Sequence, residues 1–169
     1  LNKRGVHFLY ENSYPPEAQI WEPVPGEYTS QPELVMNPYD NGLRYNVNTF
    51  FERLLADRDI LRNTAILYTS AHGQTLFEDN VSWLHCNNTV QEATVPLMLI
   101  GENLTVPDHS YLASHDNILP TILDLMHVPA NERSHAYAPS LLSTDASGLS
   151  DRFFFDGALR LIDFPDTRP

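Results

Sequence analysis

Two short apolar runs limit the folds open to this chain. Thr64-Ala65-Ile66-Leu67-Tyr68-Thr69 stops at Ser70-Ala71-His72-Gly73, and Val95-Pro96-Leu97-Met98-Leu99-Ile100 stops at Gly101. Each is short, apolar and bounded by turn residues, so each reads as a buried strand. Between them lies a polar stretch, 71–94, that carries Trp83-Leu84-His85-Cys86. A strand that hands polar residues to a loop at its C-terminal end is how open α/β sheets build sites.

The remaining elements follow from spacing. Gly5-Val6-His7-Phe8-Leu9-Tyr10 reads as another buried strand. Residues 11–36 hold Pro15, Pro16, Pro23, Pro25, Pro32 and Gly26, which predicts a long surface loop. Asn37-Pro38 is a helix-start signal, and Leu43, Val47, Phe50, Phe51, Leu54 and Leu55 recur at helical spacing, so 38–57 reads as a helix. Asp116 to Met126 reads as a second, with Ile118, Leu119, Ile122, Leu123 and Met126 on one face and Pro120 near its first turn. A short helix is expected over 138–143. Phe153-Phe154-Phe155 and Leu159-Arg160-Leu161-Ile162 read as a hairpin closing over Asp156-Gly157. This order predicts an α/β fold with a mainly parallel sheet flanked by helices, in which 64–70 and 95–100 are parallel neighbours or near neighbours.

With 169 residues, the chain is long enough for one real core. Its 42% hydrophobic share excludes a disordered composition. A net charge of −12 argues against nucleic acid or an anionic membrane surface as a direct partner. A bound cation could still create a local positive site. No apolar run reaches the roughly 18 residues a membrane helix needs, and no stretch of these residues reads as a signal peptide. Cys86 is the only cysteine, so neither an intrachain disulfide nor a cysteine zinc cluster can form. A Gly-rich phosphate cradle, a Gly-x-Ser-x-Gly elbow and a His-Glu-x-x-His pair are all missing. The chain opens at Leu1 and enters an apolar run at once, so an upstream part is expected.

Five stretches carry a pattern together. Tyr68-Thr69-Ser70-Ala71-His72-Gly73-Gln74 resembles a strand ending in Ser-Asp-His-Gly-Glu/Gln, and Leu84-His85-Cys86 resembles the Leu/Thr-His-Gly/Cys that follows it. Tyr39-Asp40-Asn41-Gly42-Leu43-Arg44-Tyr45 resembles a Tyr-Asp-Asn-x-x-x-Tyr helix start, and Ser114-His115-Asp116-Asn117 the start of a last helix. His7 with Tyr14-Pro15-Pro16-Glu17 resembles the segment that opens with a His and continues through Arg-Tyr-Pro-Glu. From about residue 6 to 145 the chain thus resembles the alkaline-phosphatase-like superfamily of sulfatases and phosphoethanolamine transferases. Residues 1–169 would form the C-terminal portion of its catalytic domain.

The resemblance implies roles. His72 would bind the catalytic metal, which is zinc in the intact enzyme. Its neighbour would be a metal-binding Asp, but that position is Ala71, which has no oxygen to offer. An engineered change and a natural loss both account for it. His85 would serve a second metal or the transferred phosphoryl group, and His7 is the other catalytic candidate. Read without the family, His72 is a strand-end His bonded to a carbonyl, His85 a loop His beside Trp83, and His7 a core His on a strand. His115 would be substrate-side, with capping by Ser114 or Asp116 as the simpler role. The Tyr39–Tyr45 helix start would be structural.

The implied reaction is metal-assisted group transfer. By that resemblance a metal-bound Thr alkoxide would attack the phosphoryl group of a phospholipid headgroup donor, form a phospho-enzyme, and pass the group to an envelope acceptor or to water. That Thr and its acidic ligands would lie upstream, so this stretch should be inert alone. The implied setting is the bacterial inner membrane, with the domain facing the periplasm or cell exterior and membrane contact supplied by an N-terminal segment. Two other readings stand beside it. One is a non-catalytic domain that binds a lipid or protein partner through the same pocket. The other is a sulfatase-type hydrolase, which would need an oxidisable Cys or Ser upstream.

Overall fold

The structure is a computed structural model that describes residues 1–24, 31–78, 83–85, 87–102, 104–105, 113–144, 153–155 and 158–163. Cys86, the Pro25-Gly26 pair and the Asp156-Gly157 turn lie outside them. The backbone divides into two compact units: Leu1–Leu61 with Gly73–Glu92, and Arg62–His72 with Ala93–Pro169.

In the first unit the chain is helical from α1 (Glu33–Leu43) through a π-helical turn (Arg44–Asn48) into α2 (Thr49–Ala56), and a short α3 (Arg58–Arg62) follows in the chain. The helix starts before the expected Asn37 cap. Asn37 lies inside α1, where its side-chain amide donates to the Pro23 carbonyl at 3.1 Å. Pro38 therefore falls inside α1 and is buried there. Gly42 is needed for packing: a Cβ at this position would lie 2.9 Å from Val6 Cγ1, so the glycine lets the N-terminal segment sit against the helix. In the π turn, Asn46 Nδ2 donates to the Ser13 carbonyl at 2.6 Å and to the Gly42 carbonyl at 3.1 Å.

The expected strand at 5–10 is not formed. The backbone instead runs irregularly into a 3₁₀ turn at Tyr10–Ser13. Only Tyr10 of that run is buried, while His7, Phe8 and Leu9 are exposed. Aromatic anchoring takes the place of a ladder: Tyr10 meets Tyr39 edge-on at 5.2 Å, and Phe8 meets Trp83 at 5.5 Å.

In the second unit β1 (Ile66–Thr69) and β2 (Leu97–Ile100) are adjacent but antiparallel, with Ile66 opposite Ile100 and Thr69 opposite Leu97. This overturns the parallel pairing expected for the two runs. Parallel neighbours need a crossover connection, usually a helix. Among the described residues between them, the only helix is the four-residue α4 (Val90–Ala93). β3 (Phe153–Phe155) pairs antiparallel with β4 (Leu161–Asp163), as a hairpin requires. Among the described residues both sheets are two-stranded and antiparallel, so the mainly parallel sheet is not found there.

α5 (Ile118–Leu125) forms where expected, led by a 3₁₀ turn at His115–Asn117. Its orientation is less expected. Pro120 and Thr121 are buried, while Leu119, Ile122 and Met126 are exposed. Thr121 Oγ1 donates to the Asn117 carbonyl at 2.6 Å and accepts from the Leu141 amide at 2.9 Å. Residues 138–143 form a turn closed by Ser143 N–H on the Ser140 carbonyl, not a helix. Among the described residues, no helix is long and apolar enough to cross a membrane.

Candidate active site

The first cluster sits at the end of β1. Ser70 Oγ donates to the His72 carbonyl at 2.8 Å, closing a tight turn that leaves Ala71 and His72 exposed. One residue earlier, Thr69 Oγ1 lies 3.1 Å from His115 Nε2. The hydroxyl donates in one imidazole tautomer and accepts in the other. His115 is held by a capping box: Asp116 N–H donates to Ser114 Oγ at 3.2 Å, and Ser114 N–H donates to Asn117 Oδ1 at 2.7 Å. Asn117 has no exposed surface and donates to the Pro139 carbonyl at 2.8 Å. The Ser114 cap therefore fixes the backbone that presents His115 to Thr69.

Zinc takes about four nitrogen, oxygen or sulfur donors. This turn supplies one imidazole and, beside it, the methyl of Ala71. Among the described residues no three His, Cys, Asp or Glu side chains gather as a metal site. By its own donors this strand end does not fit a zinc ion.

The second cluster is in the first unit. His7 is exposed on an irregular segment, not in the core, with Nδ1 2.6 Å from the Phe8 carbonyl. The contact of Phe8 with Trp83 joins that segment to the one bearing His85. His85 is exposed on a loop that returns to Thr75: Thr75 N–H donates to the Leu84 carbonyl at 3.0 Å. Burial raises the pKa of Tyr10, the neighbouring Tyr39 adds to this, and the Gln74 amide pulls the other way.

Glu92 organises the His85 loop, and the sequence reading did not single it out. Only 8% of the residue is exposed, yet its carboxylate accepts from Thr75 Oγ1 at 2.6 Å and from Asn87 Nδ2 at 3.1 Å. It also accepts the Asn87 amide at 3.0 Å and the Asn88 amide at 3.1 Å. Burial pushes the carboxyl's pKa up, but hydrogen bonds from Thr75, Asn87 and Asn88 outweigh it and hold it below the usual carboxylate range. A signal was present: Thr89-Val90-Gln91-Glu92 has capping-box spacing. Thr89 Oγ1 does accept from the Glu92 amide at 3.3 Å, but the carboxylate reaches past the cap to Asn88 and Asn87.

A family model described as Sulfatase matches residues 3–128. The match takes in His7, the β1 turn, the His85 loop, Glu92 and the capped His115. No curated protein and no solved structure matches the chain.

Proposed function

Because this chain belongs to the sulfatase family, we propose that it is the C-terminal portion of a phosphoethanolamine-transferase-like enzyme. That enzyme moves a lipid headgroup phosphoryl group to a cell-envelope acceptor. The family carries an alkaline-phosphatase-like α/β fold. In this reading its mainly parallel sheet belongs to the complete domain, and the nucleophile comes from upstream. The observation that best supports it is at the end of β1, where the capped Ser114–Asn117 start brings His115 to Thr69, three residues before His72. Two motifs far apart in sequence meet at one strand end.

The roles follow from imidazole chemistry. A neutral imidazole offers one N–H donor and one acceptor nitrogen near neutral pH. His85 and His7 would donate to phosphoryl oxygens and carry a proton to or from the exchanging hydroxyl. His115 would orient substrate through its second nitrogen. His72 would hold the zinc side of the site in an enzyme whose position 71 supplies a carboxylate. When bound, zinc would neutralise phosphoryl charge. The natural setting would be the bacterial inner membrane, with the domain outside the cytoplasm and the membrane reached through an N-terminal segment. This chain alone would be inert.

Restoring the carboxylate is the test. In the full-length protein, Ala71→Asp should bring dialysed protein to one tightly held zinc per site by elemental analysis. It should also let a phospho-Thr intermediate be trapped with a phospholipid donor. Zinc uptake with neither intermediate nor headgroup transfer would sink the transferase reading. The non-catalytic binding domain, which a natural Ala71 favours, would then take its place.

A further inference from the structure

We propose that Glu92 is the positioning residue for His85. This rests on the reading of His85 as a site residue, but the positioning itself stands on geometry within the first unit. The loop that presents His85 holds costly backbone. Leu84 and Asn88 have φ of 82° and 59°, in the left-handed region that a bulky Leu rarely enters. Such residues persist only when their surroundings over-determine them. Glu92 supplies that determination. Its carboxylate takes the Asn87 and Asn88 amides and the Asn87 side chain on one side, and the Thr75 hydroxyl on the other. Its own carbonyl takes the Gly73 amide at 2.7 Å. A single residue thus ties the start of the loop, just after His72 in sequence, to the turn just after His85.

The chemistry requires a carboxylate. Every group facing those two oxygens is a donor, and the Thr75 hydroxyl is held a further way by Thr89 Oγ1 at 2.8 Å. An amide at position 92 would turn an NH₂ toward backbone N–H groups. Glu92→Gln should therefore release the loop, although it keeps the shape.

The experiment uses the full-length protein and residue-resolved amide exchange. In the unaltered protein the Asn87 and Asn88 amides should be protected although both residues are exposed. That arm needs no variant. In Glu92→Gln their protection should fall roughly 10- to 100-fold, the range expected for losing a charge-assisted bond. The His85 ring signals should shift, while α1 amides lose far less protection than those of Asn87 and Asn88. Thr75→Val, which removes one donor and leaves the carboxylate, should move the same amides less. Fast exchange of Asn87 and Asn88 in the unaltered protein would overturn the proposal. So would a Glu92→Gln protein with protection within twofold and His85 signals unmoved. Inorganic phosphate is added as a separate probe. If it moves the His85 signals in unaltered protein but roughly tenfold more weakly in Glu92→Gln, positioning and the phosphoryl role stand together. If phosphate moves nothing while the exchange results hold, Glu92 still positions the loop and the phosphoryl reading of His85 alone fails.

Discussion

Asn41 has no exposed surface, and its amide is directed wholly at its surroundings. Its Oδ1 accepts the Ile20 amide at 2.8 Å and the Trp21 amide at 3.1 Å, and its Nδ2 donates to the Trp21 carbonyl at 3.0 Å. The Tyr39–Tyr45 motif was legible as structural and helical, although α1 begins before it, at Glu33, but these partners were not legible. They lie twenty residues upstream in a proline-rich stretch that has no periodicity to read. Truncation would leave three backbone groups of residues 20 and 21 without partners. Asn41→Ala should therefore cost about 1–3 kcal/mol, because the stranded groups are only part-buried and water reaches some of them. Urea unfolding checks this. A loss below about 1 kcal/mol would mean that water replaces the amide without penalty.

At the scale of elements, helices were the more legible class. α5 was found from its apolar spacing, yet that spacing pointed to the wrong anchors. Leu119 is 46% exposed and Met126 68%, whereas Thr121 is fully buried. Hydrophobic periodicity counts methyl groups and cannot see a hydroxyl that joins the Asn117 carbonyl to the Leu141 amide. Among the described residues polar side chains are buried as readily as apolar ones: Thr75, Glu92, Thr121 and Ser140 stand beside Tyr10, Tyr14, Val35 and Leu141. A ranking contrary to hydropathy follows. Thr121→Val, which strands the Leu141 amide, should cost about 1–3 kcal/mol. Leu119→Ala should fall within about 0.5 kcal/mol of neutral. Val35→Ala, in the buried face of α1, should cost about 2 kcal/mol. Thermal or urea melts of the three variants give the order directly, and a Leu119→Ala loss as large as that of Thr121→Val would refute it. Strand direction failed for a different reason. Apolar runs identify strands but do not encode which way a neighbour points, which depends on the connection. The run at 5–10 failed because aromatic edge contacts can bury a Tyr without any ladder.

For the molecule as a whole, the motif order was legible and the division into two units was not, because each unit takes up two separated stretches of chain. The charge shows how the units should respond to pH. At pH 7 the chain carries −12, and acid relieves that self-repulsion. At about 0.15 M salt, exposed charges are screened beyond roughly 8 Å, so this relief is weak. Two anchored carboxylates oppose it, one per unit. In the first unit Glu92 is held below its usual range, as described above. In the second, burial raises Asp124, but the Ser140 hydroxyl and the hydrogen bond and charge of Arg133 more than reverse this and hold it low. For each, the folded state keeps a proton off that the unfolded chain takes up as pH falls through the ordinary carboxylate range, near pH 4. Stability from both groups is therefore complete above that range and lost as pH falls towards their folded values. Amide exchange of α1 and α5 followed from pH 6 to pH 3 should show protection falling in both. Glu92→Gln should flatten the acid loss in α1 only, and Asp124→Asn in α5 only, each from a lower starting protection. If either variant flattened the loss in both helices, the two units would be unfolding as one body, and the carboxylates would not be independent anchors of their own units.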